Sequence, residues 1–235
     1  MNAYTEIKRR LHALANPKDA GILQRFFKTA AGEYGEGDVF IGIKVPPLRR
    51  LAIEFETASL PTLKRLLRSK IHEERTLALM ILTRQFARGD EALREKIYSF
   101  YLAHLAFINN WDLVDGSAPY IVGPFLSKRD RRQLHVFARS KSLWERRIAI
   151  VSTLYFIRLN DFRDALKIAN LLRDDEHDLI HKAVGWMLRE VGKRDLGAEE
   201  GFLKLHYKAM PRTMLRYAIE RFPESRRREY LQGRI

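Results

Sequence analysis

Apolar residues return along this chain every three or four positions, the spacing that lines one side of an α-helix. The clearest case runs from about Leu179 to Lys193. At 100° per residue Ile180, Val184, Met187, Leu188 and Val191 gather on one face, and Lys182, Trp186, Arg189 and Lys193 on the opposite one. Almost every segment of ten or more residues reads this way and none sustains the alternation of a strand, so the pattern predicts an all-α fold. The run from Ile148 to Ile157 is apolar nearly all round. It predicts one buried helix, exposed only at its start, where Arg146 and Arg147 stand.

Helix-breaking and capping residues punctuate the pattern at Asn16-Pro17, Gly32 to Gly42, Pro46-Pro47, Ser59-Leu60-Pro61, Gly89-Asp90, Asp174-Asp175, Arg194-Asp195 and Pro211. Similar amphipathic starts recur at Glu74, Trp111, Arg146, His181 and Arg212, roughly 30 to 37 residues apart. Two helices per unit at that period predict a right-handed α-α superhelix, a solenoid of degenerate HEAT-like repeats with a concave face, forming a single domain over 1–235. A bundle of similar helices would not need the regular spacing.

Charge narrows the partner. The 43 Lys and Arg against 29 Asp and Glu leave a net charge of +14, which points to a polyanion, nucleic acid first. An anionic membrane surface competes for that charge, but no apolar run approaches the roughly 20 residues that span a bilayer. The chain has no cysteine, which removes thiol nucleophiles, disulfides and Cys-containing metal sites. With no secretory pattern at the N-terminus, a cytoplasmic location is expected.

The candidate chemistry is sparse. Asn109 to Asp115 reads as a helix opened by an Asn cap, which sets Trp111 and a carboxylate one turn apart on one face. An indole face attracts cations, and a carboxylate stabilises a developing oxocarbenium ion or orients water toward it. On these residues alone the plainer reading is favoured: Trp111 is a core residue, and Asp112 and Asp115 are ordinary first-turn acids favoured by the helix dipole. Trp186, ringed by Lys182, Arg189 and Lys193, serves either as a platform on a phosphate-facing surface or as packing against a neighbouring repeat. Arg147 is a candidate phosphate clamp. Further basic clusters stand at Lys8 to Arg10, Lys128 to Arg132 and Arg226 to Arg228. Gly35 to Gly42 lacks the Lys-Ser/Thr ending of a P-loop and reads as a shaped loop or short hairpin. His177 and His181 are four apart but lack a third ligand, so neither a metal nor a cofactor is expected.

Three separated elements, Trp111-Asp112-Leu113-Val114-Asp115, the Trp144 to Ile150 stretch, and Lys182-Ala183-Val184-Gly185-Trp186-Met187-Leu188-Arg189-Glu190, together resemble the AlkD-like DNA alkylation-repair glycosylases. Gly42-Ile43-Lys44 with Pro46 and Arg49-Arg50 is similar to the family's early Gly-Ile-x-x-Pro segment. The resemblance spans most of the chain from about Gly42 onward. It implies a HEAT-like solenoid whose basic cleft holds damaged duplex DNA and hydrolyses the N-glycosidic bond of positively charged alkylated purines, without a cofactor and without flipping the lesion into a pocket. Matched position by position, it implies Asp115 as the catalytic carboxylate, Trp111 and Trp186 as cleft tryptophans, and Arg147 as the arginine near the phosphate. Lys182, Arg189 and Lys193, with Lys44 and Arg49 of the early segment, are then the expected DNA contacts. The expected partner is double-stranded DNA containing alkylated bases, bound by a monomer; the alternative is a non-catalytic HEAT-like binder of branched or damaged DNA.

Overall fold

A computed structural model of the chain describes residues 2–235 and divides it into two compact units, Met1–Ser117 and Ala118–Ile235. Among the described residues there is no strand, only an isolated parallel bridge between Val39 and Ile71, as the helical periodicity predicts. Among the described residues no helix is long and apolar enough to cross a membrane.

The first unit carries α1 (Ala3–His12), α2 (Pro17–Phe26), α3 (Val45–Glu54), α4 (Leu60–Leu67), α5 (His72–Arg88), α6 (Glu91–Leu102) and α7 (Trp111–Asp115). Their starts are dictated locally. Asn2, Asn16 and Asp90 accept backbone N–H groups of the first turns of α1, α2 and α6, satisfying donors that have no partner inside the helix. Proline opens α2, α3 and α4, where its missing N–H costs nothing. The central element is α5, against which α3, α4, α6 and α7 pack. It buries Leu77, Ala78, Ile81 and Leu82 completely.

The second unit carries α8 (Ala118–Leu126), α9 (Arg132–Phe137), α10 (Leu143–Ser152), α11 (Leu154–Arg158), α12 (Arg163–Leu171), α13 (Asp178–Gly192), α14 (Leu196–His206), α15 (Arg212–Ala218) and α16 (Glu224–Gln232). Here α13 is the central helix, in contact with α10, α11, α12, α14 and α15. In both units helices pack mainly on near neighbours in sequence, as repeats do. Four of the predicted starts fall in the first turn of a helix, Glu74 in α5, Arg146 in α10, His181 in α13 and Arg212 in α15, and Trp111 opens α7.

The structure corrects one expectation. The apolar run Ile148 to Ile157 is not one helix: α10 stops at Ser152 and α11 begins at Leu154. The Thr153 hydroxyl donates back to the Ile150 carbonyl at 2.6 Å, and its amide bonds the same carbonyl three residues back, which tightens the turn and ends the α-helical ladder. Gly35 to Gly42 forms a loop, one of the two forms its sequence allows. It is held by Glu73, which is buried and receives the backbone N–H groups of Ile41, Gly42 and Ile43 at 2.8 to 3.2 Å. Gly42 turns the chain there with φ +85°, and a Cβ would lie 2.0 Å from the Asn16 carbonyl oxygen.

Candidate active site

In the first unit the site is built on α7, a helix of only five residues. Asn110, fully buried, caps it by accepting the Trp111 N–H at 2.8 Å, and its side-chain amide donates to Asp38 Oδ2 at 3.1 Å. One turn of helix then leaves Trp111 and Asp115 half-buried while Leu113 and Val114 enter the core. The Trp111 ring stacks on Phe27, centroids 5.3 Å apart and planes 11° apart, and meets Phe26 edge-on at 6.1 Å. Phe27 is core, whereas Phe26 is 61% exposed, so an aromatic surface continues from Trp111 outward onto α2.

Asp115 stands close enough to the buried Tyr101 for its charge to be felt there. Burial pushes the Tyr101 phenol well above its ordinary range, the hydrogen bond with Ser117 works against this, and the charge of Asp115 adds to the rise. Tyr101 Oη and Ser117 Oγ are 2.9 Å apart, and Ser117 in turn donates to the Leu113 carbonyl, tying the end of α7 to α6.

Asp112 is more than a first-turn acid. Its Oδ2 lies 2.8 Å from His72 Nε2, the first residue of α5, and His72 Nδ1 lies 3.0 Å from Asp38 Oδ2. Asp38 Oδ1 accepts from Arg75 at 2.6 Å. Burial alone would raise the Asp38 carboxyl, but the His72 hydrogen bond, the Arg75 charge and the Asn110 amide bring it below its ordinary value. Phe26, Phe27, His72 and Asp38 escape sequence reasoning, because their partners on α7 are many residues away and no periodic signal links them.

Lys44 and Arg49, at the start of α3, are exposed, with Lys44 3.4 Å from Asp19. On α2 and the turn after it, Lys18, Arg25 and Lys28 are exposed as well.

In the second unit α13 separates its faces as its periodicity predicts. Ile180, Val184, Met187, Leu188 and Val191 are buried, while Lys182, Trp186 and Arg189 are half-buried and Lys193 exposed. Trp186 donates its indole N–H to Glu190 at 3.1 Å, which fixes the ring one turn from its anchor. Glu190 also receives Lys193 at 2.7 Å, Lys182 pairs with Asp178 at 2.6 Å, and Arg189 pairs with Glu220. Gly185, inside the Lys182 to Glu190 motif, lets α15 approach: a Cβ there would stand 2.4 Å from the Met214 carbonyl oxygen.

Arg147 does not mark an exposed end. It is 5% exposed and donates to the Leu179 carbonyl in the first turn of α13, so its guanidinium is held in the interior by a backbone acceptor. Helix phase explains this: Arg147 precedes Ile148 on the buried side of α10, whereas Arg146 is half-buried and pairs with Asp175 at 2.6 Å. The basic clusters at Lys8 to Arg10, Arg131-Arg132 and Arg226 to Arg228 are likewise engaged with nearby carboxylates.

An all-helical chain of near-neighbour helix packing, with an indole and a carboxylate on one short capped helix, is the class that this geometry defines. The sequence profile of the family described as DNA alkylation repair enzyme matches residues 7–222, and the chain belongs to that family. Among solved structures it is similar to a protein from Enterococcus faecalis described as a predicted DNA alkylation repair enzyme, at 18% identity and TM-score 0.70, over 89% of this chain and 97% of that one. It is similar also to AlkD2 from Streptococcus mutans, at 16% identity and TM-score 0.54, over 88% of this chain and 98% of that one. A third, smu.31 from Streptococcus mutans UA159, aligns at 17% identity and TM-score 0.52, over 95% of this chain and 100% of that one. At these identities the likeness is one of fold. No curated protein matches the sequence significantly.

Proposed function

We propose that this chain is a DNA glycosylase acting as a monomer on duplex DNA, hydrolysing the N-glycosidic bond of positively charged alkylated purines such as 3-methyladenine, 7-methylguanine and bulkier adducts. The observation that carries this reading is the placement of Trp111 and Asp115 on α7, in a member of the DNA alkylation repair enzymes with net charge +14.

The chemistry asks little of the protein. Alkylation at N3 or N7 puts positive charge on the purine, so when the C1′–N bond breaks the electron pair neutralises the base and leaves an oxocarbenium sugar. Asp115 stabilises that cation and orients the water that attacks C1′, whose proton passes to solvent. The Trp111 face, extended by Phe26, offers a surface that favours cationic rings. Trp186 has the same character in the second unit. Lys182 and Lys193 lie in surface ion pairs, which are worth at most about 1 kcal/mol and exchange readily for phosphate, and the half-buried Arg189 pairs with the more exposed Glu220. Arg147, fixed on the Leu179 carbonyl, presents only its small exposed edge to a phosphate.

The test is release of 3-methyladenine or 7-methylguanine from alkylated duplex by the wild type and by Asp115→Asn. Release by the wild type and a loss of about 100-fold or more in the variant are expected. Equal release by the two proteins, or none by either, overturns the proposal; tight salt-dependent binding of branched DNA with no release would mark a binder instead.

A further inference from the structure

Helix α7 is too short to hold its own orientation, because a helix of one turn gains little from its hydrogen bonds. Its direction is set by the groups that grip it. Two of them converge on one imidazole. His72 sits between two carboxylates, Asp38 of the Gly-rich loop at 3.0 Å from Nδ1 and Asp112 of α7 at 2.8 Å from Nε2. Its ring also stacks on Phe40 at 4.4 Å and lies 5.1 Å from Phe27, the ring on which Trp111 rests. The imidazole side chain is 3% exposed.

Both ring nitrogens face carboxylate oxygens at 2.8 and 3.0 Å, closer than the 3.4 Å from Arg75 Nη2 to Nδ1, and both can donate only when the ring is the imidazolium. The charged groups around it are Asp112 from α7, Asp38 from the loop and Arg75 from its own helix. Burial disfavours the charge, yet Asp112 and Asp38 outweigh it and Arg75 opposes them, leaving the imidazole with a proton affinity above its ordinary value.

We propose that His72 is a positioning residue of the α7 site: as an imidazolium it ties the Gly-rich loop to Asp112, and so fixes the orientation of Trp111 and Asp115. This rests on the glycosylase reading for its activity assay, but not for its structural assays. Deprotonation leaves one donor for two acceptors, so one tie breaks. It also removes the positive charge that offsets Asp112 one turn from Asp115.

The tests use the full chain. In wild-type protein, long-range proton–nitrogen NMR should show both His72 ring nitrogens protonated at neutral pH. In a protein with Trp144→Phe and Trp186→Phe, Trp111 is the one remaining indole; adding His72→Asn, which reaches Asp38 but not Asp112, should shift its emission to the red. Adding His72→Gln, which restores a donor toward Asp112, should largely reverse that shift. For base release, His72→Asn should lower kcat about tenfold by misplacing α7. His72→Gln should recover most of it and lack the alkaline fall in kcat that wild type shows as His72 loses its proton.

A neutral His72 at neutral pH, an unmoved Trp111 emission, or Asn and Gln variants that behave alike would each overturn the proposal. If the variants fail to fold, the wild-type NMR titration still decides it. Absence of base release in every protein would defeat the glycosylase reading, while NMR and fluorescence would still decide the positioning role.

Discussion

The Trp111 indole lies flat on Phe27, 5.3 Å between centroids and 11° between planes. That contact fixes one face of the indole on the core, while the residue as a whole stays half-buried. It predicts that Phe27→Ala lowers unfolding stability by about 3 kcal/mol, since a buried ring is removed and the site cannot fully collapse. Urea titration checks the loss, and a red shift of Trp111 emission on adding Phe27→Ala to the protein with Trp144→Phe and Trp186→Phe would show that the support of the indole has gone. Phe27→Leu should cost less and leave the emission closer to wild type.

Gly42 makes a sharper backbone prediction. Its φ of +85° and the 2.0 Å approach to the Asn16 carbonyl oxygen leave no room for a side chain. Gly42→Ala should destabilise the first unit by about 2 kcal/mol or more. Glu73→Gln should have a smaller effect of the same sign, because the three backbone donors of Ile41, Gly42 and Ile43 lose an anionic acceptor. Thermal unfolding of the two variants measures both, and stability equal to wild type in Gly42→Ala would contradict the loop geometry.

Glu199 predicts a pH dependence. It is 2% exposed and its Oε1 has no hydrogen-bond partner, and burial, helped by the neighbouring Glu200 and opposed by Arg189, pushes its carboxyl up to about 8 from an ordinary 4.5. The folded state therefore keeps a proton that the unfolded chain gives up near its ordinary value. Its contribution is fully present below about pH 4.5, falls as pH rises, and is gone above about pH 8. Glu199→Gln, uncharged at every pH, should flatten that decline. Melting temperatures at about pH 5 and about pH 9 check it, and parallel curves for the two proteins would show that Glu199 does not titrate in this window.

Binding to duplex DNA should respond to salt through individual cations. If Lys193 and Arg49 contact phosphates, Lys193→Ala and Arg49→Ala should each weaken binding regardless of sequence and reduce the slope of log affinity against log salt by about 1. An unchanged slope in either variant would remove that residue from the interface.

Much of this architecture is legible in one sequence. Helix caps at Asn16, Asp90 and Asn110 act on residues one to three positions away, and the faces of α13 follow from a period of 3.6, so local chemistry suffices to place them. Trp111 and Asp115 share a helix for the same reason. Tertiary structure decided which polar groups are buried and against what. His72 meets Asp38 and Asp112 across 34 and 40 residues of chain, and Arg147 is interior because α10 turns it toward the Leu179 carbonyl of α13. A buried polar group must be partnered by whatever segment the topology brings beside it, and that choice leaves no periodic trace in the sequence.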